Sequence, residues 1–276
     1  MDVAALTHAP VLCYHRIGGP LELGVTRVGR SVFARQMTAL ARAGWRTLTL
    51  SDFAASRTPH AARRTFLLTF DDGYASLAEH AYPILAELGF TATTFLITDY
   101  VGKTNDWDVR YTRHRLPHLS WRSVEQWQSR GFAFASHAAT HRRLSWLADA
   151  AAADELARSR ELLVHRLGRA AGRAVAYPFG AVNDRVLYHA KVAGYEVGFG
   201  GVKGSSDPLN RPRTPVYMWD WGEVPLGLRA DMWGRIGRTV AHVVNRCAVG
   251  TSLMQLATRR TGRPPESIAD AVSRRA

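Results

Sequence analysis

An apolar run, Phe66-Leu-Leu-Thr-Phe70, leads directly into two acids and a glycine, Asp71, Asp72 and Gly73. Side chains alternate in direction at a strand end, so the two carboxylates point to different places. Beside a metal ion or other cation they can take separate tasks. The plain alternative is that one of them caps a helix beginning near Tyr74. A second group, Ser136-His137-Ala138-Ala139-Thr140-His141, closes the run Phe132-Ala-Phe-Ala135. Imidazoles four residues apart face one way on a turn of helix and can share one metal ion. With a carboxylate they complete a His-His-Asp set. By spacing alone, two unrelated structural histidines are the commoner explanation. A third group, Tyr177-Pro178-Phe179-Gly180, can aim backbone N–H groups at a developing oxyanion, or be an ordinary turn. Tyr14-His15 ends the first apolar run, where a lone histidine is ordinarily a hydrogen-bonded rim residue.

These groups need elements to carry them. Short β-rich runs begin at Val11, Thr47, Phe66, Thr91, Phe132, Ala174, Glu196 and Thr214. Amphipathic segments at 31–43, 75–88, 149–168 and 184–193 lie between them, as expected of βα units around a mostly parallel sheet. Seven or eight units predict an α/β barrel, closed or nearly so. All four groups then fall at the C-terminal ends of strands, where barrel enzymes place their chemistry.

The sequence has 276 residues, 46% hydrophobic and 21% charged, enough for one large core, with no repeat and no low-complexity linker. The expected division is a barrel over 1–222 and a basic extension over 223–276. Within the extension, 226–247 repeats apolar residues at helical spacing, with Arg229, Arg235, Arg238 and Arg246 on other faces. That helix either packs on the barrel or lies on an anionic membrane. The net charge of +13 favours an anionic partner, although an Arg-rich sequence also follows from base composition. No nucleic-acid-binding motif is present and the arginines are scattered, so nucleic acid is not the expected partner. Cys13 and Cys247 are too few for a disulfide framework and read as packed, reduced thiols. No secretory signal is legible and no apolar run is long enough to span a bilayer, so a cytoplasmic location is expected.

Taken together, TFDDG at Thr69–Gly73 and SHAATH at Ser136–His141 resemble the first two motifs of the polysaccharide deacetylases with a NodB homology domain, Ala138 replacing the usual Ser or Thr. The likeness covers roughly residues 10–220, including VLCYHRI and the YPFG turn. It implies a distorted (β/α)7 barrel that hydrolyses N-acetyl groups on amino sugars. It further implies that Asp72, His137 and His141 hold one divalent ion, with zinc expected although other divalent ions also suit such a set. Asp71 would be the base, and the Phe179 N–H would join in stabilising the oxyanion. Two departures stand out: Ala176 replaces the usual Arg of the third motif, and no late Leu-x-His motif supplies an acid. The permuted poly-N-acetylglucosamine deacetylase branch is similar in this, carrying its acid on an N-terminal Tyr-His. His15 is therefore the expected acid, and Arg213 the expected partner of Asp71. The expected substrate is an N-acetylated saccharide or glycolipid precursor. A non-sugar linear or cyclic amide is the enzymatic alternative, and a non-catalytic sugar- or membrane-binding scaffold the other.

Overall fold

The computed structural model describes residues 9–20, 25–55, 64–107 and 115–229. At its centre is strand β5, Thr65–Phe70, buried from Phe66 onward, as a strand covered on both faces must be. Around it run β1 (Val11–Tyr14), β4 (Arg46–Thr47), β6 (Thr93–Leu96), β7 (Ala133–Ser136), β8 (Ala174–Ala176), β9 (Val197–Phe199) and β10 (Thr214–Pro215). Their order is β10-β1-β5-β6-β7-β8-β9, with β4 on the start of β5, and every pairing is parallel. A two-stranded ribbon, β2 (Arg16–Ile17) with β3 (Arg27–Val28), lies apart from this sheet.

The two edges of the sheet are joined by chain that is not strand. Gly198 N–H donates to Pro208 O, Arg211 N–H to Gly198 O, Gly200 N–H to Arg211 O and Arg213 N–H to Gly201 O, immediately before β10 pairs with β1. Gly198 permits this approach: a Cβ there would lie 2.1 Å from Leu209 O. The curved parallel sheet with its helices is the expected NodB-type barrel.

Helices α1 (Arg30–Arg42), α2 (Leu50–Ala55), α3 (Ser76–His80), α4 (Tyr82–Glu87), α5 (Trp121–Gln128), α6 (Asp149–Leu167) and α7 (Asp184–Ala193) fill the connections. The single helix expected over 75–88 is two. Pro83 has no N–H to donate to the residue 79 carbonyl and is tolerated only in the first turn of a helix, so the chain resets at Ala81 and a new helix begins at Tyr82. Helix α5 was not anticipated, although Ser120 caps it by accepting from Ser123 N–H and its Val124 and Trp127 are buried. The main core gathers Phe33, Phe66, Phe70, Tyr82 and Phe134 between sheet and helices.

Past residue 222, Val224 and Leu228 still pack on that core, and Leu226–Leu228 form a 3-10 turn. The helix expected over 226–247 therefore does not begin as an α-helix. Residues 230–247, and Cys247 with them, lie outside the described residues. Among the described residues no helix is long and apolar enough to cross a membrane.

Candidate metal centre and active site

The strands bring the four sequence groups to one end of the barrel. Asp72 follows β5 with a left-handed φ of 67°, and Gly73 repeats it at 68°. This reversal turns the second carboxylate away from the first. Gly73 is tight as well as left-handed, because a Cβ would lie 2.6 Å from Leu96 Cδ2. Neither acid caps the next helix: its N-cap is Ala75, with no side-chain cap bond.

His137 and His141 do not share a turn of helix, contrary to expectation. They sit on a loop after β7 in which Ala138 (φ 61°) and His141 (φ 58°) are left-handed, so the loop curls the two rings together. Their centroids are 4.9 Å apart. Glu155 of α6, which the sequence reading missed, braces this curl. Buried, it accepts from the N–H groups of Ala139 (3.1 Å) and Thr140 (2.8 Å) and from the Thr140 hydroxyl. Thr98 and Asp99 N–H groups donate to Ala138 O and Ala139 O from the β6 side.

Asp72 Oδ1 lies 3.5 Å from His137 Nε2 and 3.4 Å from His141 Nε2, all three residues being buried. His137 Nδ1–H donates to Ala176 O at 2.7 Å, which leaves Nε2 a lone pair in the neutral ring. Burial is the main cause that holds His137 below the ordinary histidine range. The His137 Nε2 lone pair therefore faces the Asp72 carboxylate, which is unfavourable unless a cation lies between them. The donor set fits a divalent metal of the zinc type, which takes nitrogen and carboxylate oxygen ligands. Trp107, 4% exposed, covers His141 with a centroid separation of 4.0 Å. Its Nε1–H donates to His118 Nε2, itself stacked on Tyr74.

Asp71 points elsewhere. Arg213 Nη1 and Nη2 donate to its Oδ1 and Oδ2 at 2.6 and 2.7 Å, a bidentate pair spanning the barrel interior. Burial pushes this carboxyl up, but Arg213 and His137 outweigh burial and hold it below the ordinary carboxylate range. Cys13 and His15 lie on one face of the β1 segment, two residues apart, and reach the same carboxylate. The Cys13 thiol donates to Asp71 Oδ2 at 3.5 Å, and the ligating atoms of Cys13, His15 and Asp71 lie within 4.8 Å of one another. Cys13 was read from sequence only as a packed thiol; its period-2 spacing from His15 was the signal available. Burial pushes His15 down to about 4, opposed by the Asp71 charge.

Phe179 occupies the Pro178–Gly180 turn at φ 62°, ψ 10°, with its ring against His141 at 4.7 Å. Gly180 has no room for a Cβ, which would lie 2.7 Å from Gly201 Cα. The turn is thus fixed against the β9 connection. That connection opens with the Gly-rich stretch Gly200–Gly204. Seven residues are therefore gathered: Asp72, His137 and His141 as one cluster, with Asp71, Arg213, His15 and Phe179 around it.

A family model described as polysaccharide deacetylase matches residues 59–198. The poly-beta-1,6-N-acetyl-D-glucosamine N-deacetylase of Staphylococcus aureus (strain MSSA476) is 28% identical over 184 residues, covering 62% of this chain and 60% of that one. The chain spans about three fifths of the length of the curated relatives it matches. Among solved structures, the Streptococcus pyogenes deacetylase PplD in complex with acetate has a TM-score of 0.67 at 22% identity, covering 77% of this chain and 93% of that one. IcaB from Ammonifex degensii has a TM-score of 0.61 at 24% identity, covering 84% and 96%. Both share the fold.

Proposed function

This chain belongs to the polysaccharide deacetylase family, and from that premise we propose that it is a metal-dependent hydrolase removing an N-acetyl group from an amino sugar of a saccharide or glycolipid. The observation that carries this reading is the convergence of Asp72 Oδ1, His137 Nε2 and His141 Nε2 beside a separate, buried carboxylate. Those three atoms would hold the ion. When bound, a divalent ion supplies a Lewis acid and lowers the pKa of water in its open positions.

The remaining steps belong to the chain's own residues. Asp71, kept from the ligand set by its two bonds to Arg213, takes the proton of the attacking water through Oδ2. The Phe179 N–H, on its left-handed turn beside His141, donates to the oxyanion as the carbonyl carbon becomes tetrahedral. His15 donates a proton to the departing amine. Its neutral resting ring must first gain that proton, and the Asp71 charge nearby is what favours the gain.

Metal analysis and acetate release from N-acetylated oligosaccharides test this together. Asp72→Ala, His137→Ala and His141→Ala each lose metal and turnover, whereas Asp71→Asn keeps the metal and loses about a hundredfold to ten-thousandfold in rate. Full metal content in all three ligand variants would overturn the assignment.

A further inference from the structure

Between β6 and α5 two lengths of chain run side by side and carry Trp107 to the metal cluster. Gly102 N–H donates to Leu119 O, His118 N–H to Lys103 O and Asn105 N–H to Leu116 O, while the Asn105 side chain accepts from Leu116 N–H. The returning length is bonded to the acid turn, because Leu119 N–H donates to Gly73 O and Ala75 N–H to Pro117 O. The support for Trp107 thus stands on the residue that follows Asp72.

Buried His118 uses both ring nitrogens inside this support. Nε2 accepts from Trp107 Nε1–H at 3.2 Å, and Nδ1–H donates to Lys103 O at 3.2 Å. A neutral imidazole offers one donor and one acceptor, so a single tautomer satisfies both bonds. Burial pushes His118 down to about 4, which keeps that ring neutral at neutral pH. Its face stacks on Tyr74, two residues past Asp72, with centroids 5.1 Å apart and planes 18° apart. The indole is therefore held through its one polar atom. Being buried, it offers no face to a sugar; the ring it meets is that of His141, which also has Phe179 against it.

We propose that Trp107 and His118 are positioning residues for the metal cluster. The His118 imidazole holds the Trp107 indole, and the indole holds the His141 ring at the angle that brings its Nε2 to Asp72 and His137. The inference rests on the metal reading of that cluster.

Calorimetric titration of the metal-stripped full chain with zinc tests it. His118→Phe keeps a ring beside Tyr74 and loses both bonds, and Trp107→Leu removes the ring from His141. Each is expected to bind one equivalent of zinc about tenfold to a hundredfold more weakly than the parent. Combined, the two changes cost no more than the larger alone, because both act through the same indole. His118→Gln, whose amide oxygen takes the indole N–H, retains the parent's affinity. Trp107→Phe keeps a ring in the buried position and loses the N–H; it too weakens zinc, and it carries the test should Trp107→Leu not fold. The visible absorption of the cobalt(II) form, which follows ligand geometry, changes in the weakened variants and not in His118→Gln. Leu116→Ala removes bulk from the same buried cluster while leaving both bonded side chains in place, and it keeps the affinity and the spectrum. Parent-like affinity in His118→Phe and Trp107→Phe overturns the proposal. So does a loss in Leu116→Ala as large as that in His118→Phe, which would make the effect one of packing. A parent chain that takes up no zinc removes the metal reading itself, whereas a parent that binds one equivalent beside variants that match it removes only the positioning role.

Discussion

Asp71 is buried, ionised and already bonded through both oxygens to Arg213, so as the proposed base it would act through position rather than strength. A carboxylate held below its usual range accepts a proton reluctantly, and the proton it takes must move on. His15, resting neutral with its pKa pushed by burial to about 4, is the group near enough to receive it. His15→Ala is therefore expected to lower kcat by about a hundredfold to ten-thousandfold with KM little changed. A pH–rate profile checks this, and a variant matching the parent across the pH range would remove the acid from His15. The paired acids, the two histidines and Tyr-His were legible because each stands at the end of an apolar run. Cys13 was legible only as far as its spacing from His15, which puts the two on one face. Its partner Asp71 stands at the end of a distant strand, and no local pattern encodes that pairing.

At the scale of elements, strand ends were the most readable feature because periodicity and burial agree there, and helix interiors came next. The expected HxxxH helix failed because spacing alone does not choose between a helical turn and a left-handed loop. The loop prevails because Glu155, on a different element, accepts its N–H groups and leaves them no need of helical partners. Glu155→Ala leaves the buried Ala139 N–H and the half-buried Thr140 N–H without their acceptor. It is expected to cost about 3 kcal/mol in chemical denaturation and to weaken metal affinity while every proposed ligand remains in place. Unchanged metal affinity would show that the curl forms without its brace. The split of α3 from α4 is a milder case: Pro83 was visible in the sequence, but the amphipathic pattern runs straight across it.

At the scale of the whole molecule, the last described segment straps the barrel to α1. Tyr14 donates to Gln36 Oε1, Gln36 Nε2 donates to the backbone oxygen of Asp220, and Arg35 donates to that of Trp221. Asp220 is 4% exposed; its Oδ2 accepts from Leu226 N–H, while burial raises its carboxyl to about 6. A raised folded-state value favours the protonated form. Its contribution to stability is therefore full below the unfolded value near 4 and lost as pH rises through about 6. Asp220→Asn keeps an acceptor for Leu226 and should remove that part of the pH dependence, raising stability at neutral pH by on the order of 2 kcal/mol. Thermal unfolding from pH 4 to 8 checks this; an Asn variant whose melting falls with pH as steeply as the parent's would contradict it. The stitch between the two edges of the sheet has a consequence of timing. Arg213 stands at its end, 142 residues from Asp71. During synthesis Asp71, Asp72 and both metal-cluster histidines emerge while that guanidinium has yet to be translated. Contacts so distant along the chain also form late in folding. A nascent chain can thus gather Asp72, His137 and His141 while Asp71 still lacks its counter-charge, so the full cluster of buried charges takes its final arrangement only once the barrel has shut.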